Sequence, residues 1–449
     1  MNRLLIKNAT LVNEDRQQQA DVLIVNQRIE KIAANIPHDG QAQLIDATGL
    51  HLFPGMIDDQ VHFREPGLTH KGTLASESRA AVAGGTTSFM EMPNTTPQTV
   101  TVEALEAKYA LASQKAIANH SFYFGATNDN LDQIKRLDAN QTCGIKVFMG
   151  ASTGNMLVDN ADTLAAIFRE APMLIATHCE NTPMIKVLED AAREQFGEDV
   201  PAREHANIRS ADACYASSSM AVELAKKYNA KLHVLHITTA KELALFTASK
   251  ELSELANKNI TAEVCAHHLF FNQADYDRLG HLIKCNPSIK TAADQQALLA
   301  AVNSGVIDII ATDHAPHTWQ EKQNSYFKAP SGLPLCQHAL VSLLEHYHDG
   351  IFSLETIVKR TSHAVAERYQ IRERGYIREG YFADLVLVDL NSPYLVTPEN
   401  TLYLCGWSPF DGYQFRSRIH TTLVNGTVAY QNGQIQTSQF GQRLLFNRS

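Results

Sequence analysis

Four apolar runs decide how the chain reads: Gly144-Ile145-Lys146-Val147-Phe148, Leu174-Ile175-Ala176-Thr177-His178, Val234-Leu235-His236 and Ile309-Ile310-Ala311-Thr312-Asp313. Each carries an ionisable residue within or at the end of an otherwise apolar stretch. Similar strand-like runs end near His62, Asn94, Asn128 and His268, and most are separated by helix-like stretches such as Ser210 to Tyr228 and Asp294 to Asn303. Alternating strands and helices of this kind predict an α/β fold, a (β/α)8 barrel of parallel strands over residues 55–374. In such a barrel the strand ends converge on one rim, where an active site is built.

Outward from the barrel, both ends of the chain read as short strands and turns. Leu4 to Val12, Asp21 to Ile32 and Asp384 to Asp389 are β-prone, and Asn425-Gly426 and Asn432-Gly433 are hairpin signals. Each end alone is too small to bury a face, so residues 1–54 and 375–449 are expected to form one discontinuous β-sandwich domain. No internal repeat or low-complexity tract interrupts this plan.

The bulk properties narrow the function. The 449 residues are 44% hydrophobic and 19% charged, the signature of a globular protein rather than a disordered one. The net charge is −9 and no dense Lys/Arg block occurs, so neither nucleic acid nor an anionic membrane is an expected partner. An anionic small-molecule substrate must then be held by a few local cations. No apolar run is long enough to span a bilayer, and the N-terminus has no secretory h-region. The seven cysteines are scattered singly, which predicts reduced thiols and a cytoplasmic location.

A hydrolytic metal site needs neutral imidazoles and a carboxylate converging on one cation. His62 belongs to the first run, Lys146 to the fourth, His178 to the fifth, His236 to the sixth and Asp313 to the eighth. A single histidine at a strand end is ordinarily a hydrogen-bonded rim residue; several on separate barrel strands, together with an aspartate, point to a metal. By contrast, His267 and His268 read as packed within an apolar run, and His70, His346 and His348 as solvated or loop residues. Lys146 stands out, because a bare ammonium among Ile145, Val147 and Phe148 is costly to bury unless it pairs with a carboxylate or snorkels to the rim.

The stretch Pro54-Gly55-Met56-Ile57-Asp58-Asp59-Gln60-Val61-His62-Phe63-Arg64-Glu65-Pro66-Gly67 resembles the opening motif of the cyclic amidohydrolases, and of the dihydroorotases among them. Met92-Pro93-Asn94-Thr95, the Lys146 run, Thr312-Asp313-His314-Ala315-Pro316-His317 and Ala383-Asp384-Leu385-Val386 match in order. The resemblance implies that Lys146 is carbamylated by CO2 and bridges two metals, usually zinc. It implies that His178 and His236 hold one metal, and that His62 and Asp313 hold the other, with Asp313 also transferring the proton. One departure is clear: the family normally has His-x-His where this chain has Gln60-Val61-His62. An amide oxygen is a weaker zinc ligand than imidazole, so Gln60 is a doubtful ligand and one or two Zn2+ per chain remain open.

Several activities share this scaffold. Arg64 presents a planar fork suited to a carboxylate, which dihydroorotate carries; allantoinases usually have Asn there, and dihydropyrimidinases and hydantoinases generally lack the Arg-Glu-Pro-Gly segment. By resemblance, Asn94 and His317 join Arg64, Asn286 contacts the ring, and Gly332-Leu333 offer backbone groups. Read alone, Arg64 could equally pair with Glu65 or Asp58, Asn94 could be a turn residue, and His317 could bond within its own loop. The resemblance thus implies a dihydroorotase, interconverting carbamoyl-aspartate and dihydroorotate in pyrimidine biosynthesis, as a homo-oligomer such as a dimer. The alternatives are an allantoinase- or dihydropyrimidinase-like ring hydrolase, or a silent homologue serving as a scaffold for an enzyme such as aspartate transcarbamoylase.

Overall fold

The computed structural model describes residues 2–150, 155–249 and 251–448. The barrel strands are Met56–Val61, Thr86–Glu91, Asn119–Phe122 (resumed as Phe124–Gly125), Ile145–Phe148, Ile175–His178, Leu232–Val234, Ile260–Cys265 and Ile309–Ala311. Every pairing among them is parallel. They form a three-stranded and a six-stranded arc, and the third strand passes from one arc to the other across Tyr123. A parallel bridge between Val61 and His314, with the His62 N–H donated to the His314 carbonyl at 2.7 Å, joins the first strand to the eighth and closes the ring.

Local chemistry sets the helix ends. The helix Ala211–Tyr228 starts where the Ser210 side chain accepts the Ala213 N–H, and it stops at Asn229 in the left-handed conformation. A Thr291–Asp294 capping box opens the helix Ala292–Ser304, and Gly305 at φ 82° ends it. Lys146 is the second residue of its strand, within the run as expected. Two local expectations need correction. The seventh strand stops at Cys265, so His267 and His268 lie on the short helix Ala266–Phe270. His346 is not solvated: it lies on the helix Ala339–His348 with its ring buried beside Phe352, because that helix packs against the barrel.

The two chain ends meet in one continuous nine-stranded sheet. Its join is antiparallel, Leu385–Asp389 against His51–Pro54, with Leu385 opposite Pro54 and Val388 opposite His51. The two-residue period of a strand divides the work between faces. Leu52, Leu385 and Leu387 pack among Ile6, Leu11 and Val22 in the sheet's own core. Phe53, Val386 and Val388 turn the other way, into the large core shared with the barrel. No helix among the described residues is long and apolar enough to cross a membrane.

Asp384 pins the sheet to the barrel. Its buried carboxylate pairs with Arg374 and accepts from the Asn119 amide at 3.2 Å, on the third barrel strand, and from the Asn425 N–H at 2.8 Å. Asp384→Ala leaves Arg374 buried without its partner, and we expect a loss of about 3–5 kcal/mol in urea unfolding. A loss below about 1 kcal/mol, the range of a surface pair, would show that the cluster holds nothing together.

Candidate active site

A cavity of about 280 Å3 opens where the barrel strands end. Gln60, His62, Lys146, His178, His236 and Asp313 line its floor, and Arg64, Asn94, Asn286, His317 and Gly332 line its walls. Three of these side chains are delivered by backbone in the left-handed region, Arg64 at φ 71°, His236 at φ 40° and Asp313 at φ 50°. Such conformations cost of order 1–3 kcal/mol each in non-glycine residues and cluster at functional sites.

On one side of the floor, His178 Nδ1 and His236 Nε2 face each other at 2.9 Å. The other ring nitrogen of His178 meets Glu180 Oε2 at 2.9 Å, and Arg209 holds the same oxygen at 2.7 Å. Burial would raise the Glu180 carboxyl, but Arg209 and His178 outweigh it and hold it well below the usual carboxylate range. Glu180 therefore accepts the Nε2–H of His178 and leaves a lone pair on Nδ1, turned toward His236 at the cavity floor. Burial, with His178 and Lys146 nearby, holds the His236 imidazole well below its ordinary pKa, so it is neutral.

On the other side, His62 Nδ1 meets Asn94 Oδ1 at 2.9 Å, and its Nε2 lies 3.2 Å from Asp313 Oδ1. Gln60 donates its amide Nε2 to the same Asp313 oxygen at 3.1 Å, while its Oε1 lies 3.8 Å from Cys265 Sγ. Gln60 is thus placed as a hydrogen-bond donor to Asp313. The group it turns toward Asp313 is an N–H donor, which cannot coordinate a cation, and the reverse orientation would set two acceptors against each other. Lys146 neither snorkels nor pairs. It is 1% exposed, its Nζ lies 4.8 Å from the Phe148 ring centre, and it makes no ion pair among the described residues. Burial pushes its pKa down to about 8.

The wall carries an unpaired cation. Glu65 pairs with Lys115 and Asp58 bonds Thr312, so neither reaches Arg64. Arg64 instead donates Nε–H to the Pro316 carbonyl at 3.1 Å, and Nη2 lies 3.1 Å from His317 Nε2. Lys71 Nζ approaches His317 Nδ1 at 3.0 Å, and the Ser331 carbonyl lies 3.1 Å from His317 Nε2. Arg64 Nη1 makes no hydrogen bond among the described residues, and Arg64 lines the cavity. Asn286 Oδ1 is likewise buried with no partner. Three of the four expected backbone groups of Gly332 and Leu333 are bonded within the chain, the Gly332 carbonyl to Lys322 Nζ among them. The Gly332 N–H is given to the Lys284 carbonyl, the Leu333 carbonyl accepts from Ala315, and the Leu333 side chain is in the core rather than the cavity.

Glu180, Arg209 and Lys71 escaped the sequence reading. Glu180 alone left a trace, as a carboxylate two residues beyond an expected ligand; Arg209 and Lys71 join the site only through the fold.

Residues 51–429 match the family model described as the amidohydrolase family. The chain belongs to the amidohydrolase family. It is 30% identical over 457 aligned positions to an allantoinase of Desulfitobacterium hafniense, covering 98% of each chain. It is 33% identical over 416 positions to a dihydroorotase of Halobacterium salinarum, covering 91% of this chain and 93% of the relative. Among solved structures it is similar to the L-hydantoinase (dihydropyrimidinase) of Arthrobacter aurescens, with a TM-score of 0.91 and 26% identity over 99% of this chain and all of that one. Amidohydrolases are metal-dependent, and the residues here fit a divalent cation. His178 and His236 turn two ring nitrogens toward each other at 2.9 Å on the cavity floor, His236 is neutral, and Lys146 beside them has no ion pair among the described residues, a donor set that suits a divalent cation.

Because Glu180 fixes the His178 tautomer, Glu180→Gln should weaken metal affinity about 10- to 100-fold in a chelator competition titration. An unchanged affinity would mean that His178 needs no such support or binds no metal.

Proposed function

We propose that this amidohydrolase is a dihydroorotase, closing carbamoyl-aspartate to dihydroorotate and opening it again. The observation that carries this reading is Arg64: a buried guanidinium, unpaired by any carboxylate among the described residues, facing the cavity beside Asn94 and His317. Burial pushes its pKa down only to about 10, so it stays charged at neutral pH. Leaving a cation unpaired is costly, and a substrate carboxylate removes that cost through two parallel N–H···O bonds. Asn286, with its unpartnered amide oxygen, suits a ring N–H.

His62, Lys146 as its carbamate, His178, His236 and Asp313 would hold the metal, zinc in this reading. When bound it supplies Lewis acidity toward the amide carbonyl and lowers the pKa of water. Asp313 moves the proton. Burial raises its carboxyl, but His62 more than offsets this, and the group is held below its ordinary value as an acceptor. It takes the proton of the water that adds to the ring carbonyl and gives it to the departing ring nitrogen; cyclisation reverses both transfers. Gln60, bonded to the same carboxylate, orients it instead of contributing a ligand. The domain division at 54/55 and 374/375 belongs to this proposal. It is supported by Pro54 ending a strand of the nine-stranded sheet just before Met56 opens the barrel.

The second reading is an allantoinase, favoured by relatives of that name that match over nearly the whole chain. Hydrolysis of dihydroorotate, allantoin and hydantoin measured side by side separates the two, and faster turnover of allantoin would replace the first. Arg64→Ala should raise KM for dihydroorotate about 10- to 100-fold with a smaller effect on kcat; an unchanged KM removes the clamp. Asp313→Asn should lower kcat by about 100-fold or more, and near-normal turnover would exclude it as the proton carrier.

A further inference from the structure

Beneath the cavity floor, inside the barrel, three ionisable side chains from three strands converge: Asp59 from the first, His233 from the sixth and Glu263 from the seventh. All three are fully buried. A register shift between Asp58 and Val61 breaks the alternation of the first strand, so Asp59 reaches this inner layer although it adjoins Gln60. The layer is closed from below, where Tyr369 donates its hydroxyl to Asp59 Oδ2 at 2.8 Å and Tyr123 donates to the Asp59 carbonyl at 3.1 Å. Above it, Glu263 Oε1 accepts the His236 N–H at 3.0 Å.

The hydrogen bonds of this layer do not close. Thr261 gives its hydroxyl proton to the Leu232 carbonyl at 3.3 Å, so at 2.8 Å its oxygen accepts the Nδ1–H of His233. In the neutral ring His233 Nε2 then carries a lone pair, and it points between two carboxylates, 3.2 Å from Asp59 Oδ2 and 3.5 Å from Glu263 Oε2. It makes no hydrogen bond to either, and Asp59 Oδ1 and Glu263 Oε2 are also buried without partners. Two carboxylates packed out of water around an imidazole draw a cation: a proton on His233, whose pKa Asp59 and Glu263 raise against the effect of burial, or a metal ion in its place. Zinc with ligands at about 2.0–2.2 Å in a tetrahedron has ligand-to-ligand edges of about 3.3–3.6 Å. The two distances to His233 Nε2 lie at or beside that range.

We propose that Asp59, His233 and Glu263 form a buried divalent-cation site for Zn2+, separate from the cavity and one layer beneath it. Its ion neutralises the inner carboxylates and holds Glu263, which in turn holds the backbone of His236. The site depends on no assignment of substrate or of catalytic ligands.

The test is zinc content by elemental analysis after dialysis, on full-length protein carrying His178→Asn and His236→Asn, which strip two imidazoles from the cavity. This protein should keep one zinc per chain, and adding Asp59→Asn with His233→Asn should remove it. Zinc should raise the Tm of the metal-stripped first protein but not of the second. No zinc in the first, or equal zinc in both, overturns the site. Should the fourfold variant not fold, anomalous diffraction at the zinc edge from crystals of the unaltered, zinc-replete protein decides. A peak among Asp59, His233 and Glu263 supports the site, and its absence there refutes it whatever the cavity holds.

Discussion

The bridge between Val61 and His314 closes the barrel, and the chemistry at its mouth depends on that closure. Parallel strands bonded edge to edge can leave two open arcs; joining the first to the eighth turns them into a ring whose strand ends share one volume. Once the ring is closed, His62 and Asp313 lie 3.2 Å apart, Gln60 donates to the same carboxylate, and Asp58 accepts the Thr312 hydroxyl at 2.6 Å. An open sheet would place these groups on opposite edges.

Around this closure the barrel interior tolerates what an ordinary core rejects. Among the described residues Lys146 is buried without an ion pair, Arg64 faces a cavity without pairing to a carboxylate, and three residues at the mouth hold positive φ angles. Each feature lowers stability on its own, and stability elsewhere offsets them. The large shared core and the Arg374–Asp384 pair between sheet and barrel are two such sources. Among the buried polar atoms without a hydrogen-bond partner in the described residues, that of Asn286 lines the cavity and those of Asp59, His233 and Glu263 meet in the layer beneath it.

The relatives show how little of the scaffold specifies a substrate. Chains named allantoinase and dihydroorotase resemble this one about equally, and a hydantoinase shares its fold from end to end. What separates such activities must be a handful of wall residues over a common floor. Here the wall is set by Arg64, braced by the Pro316 carbonyl and by His317, with Lys71 against the other nitrogen of the His317 ring.

Much of this was legible in the chain itself. Short apolar runs bearing single ionisable residues marked the barrel strands, because local composition and spacing encode strands and helices directly. Most side chains expected around the cavity line it, from His62 to His317. The orientation of Gln60, the packing of Leu333, the burial of His346 and the parts of Glu180 and Arg209 were not legible. Neither was the meeting of Asp59, His233 and Glu263. Residue type and local pattern determine which groups are able to act. Which groups meet, and which way an amide turns, is decided by closure between residues as far apart as Gln60 and Asp313, separated by 253 positions. No local pattern encodes such a contact, since its hydrogen bonds exist only after the ring has closed.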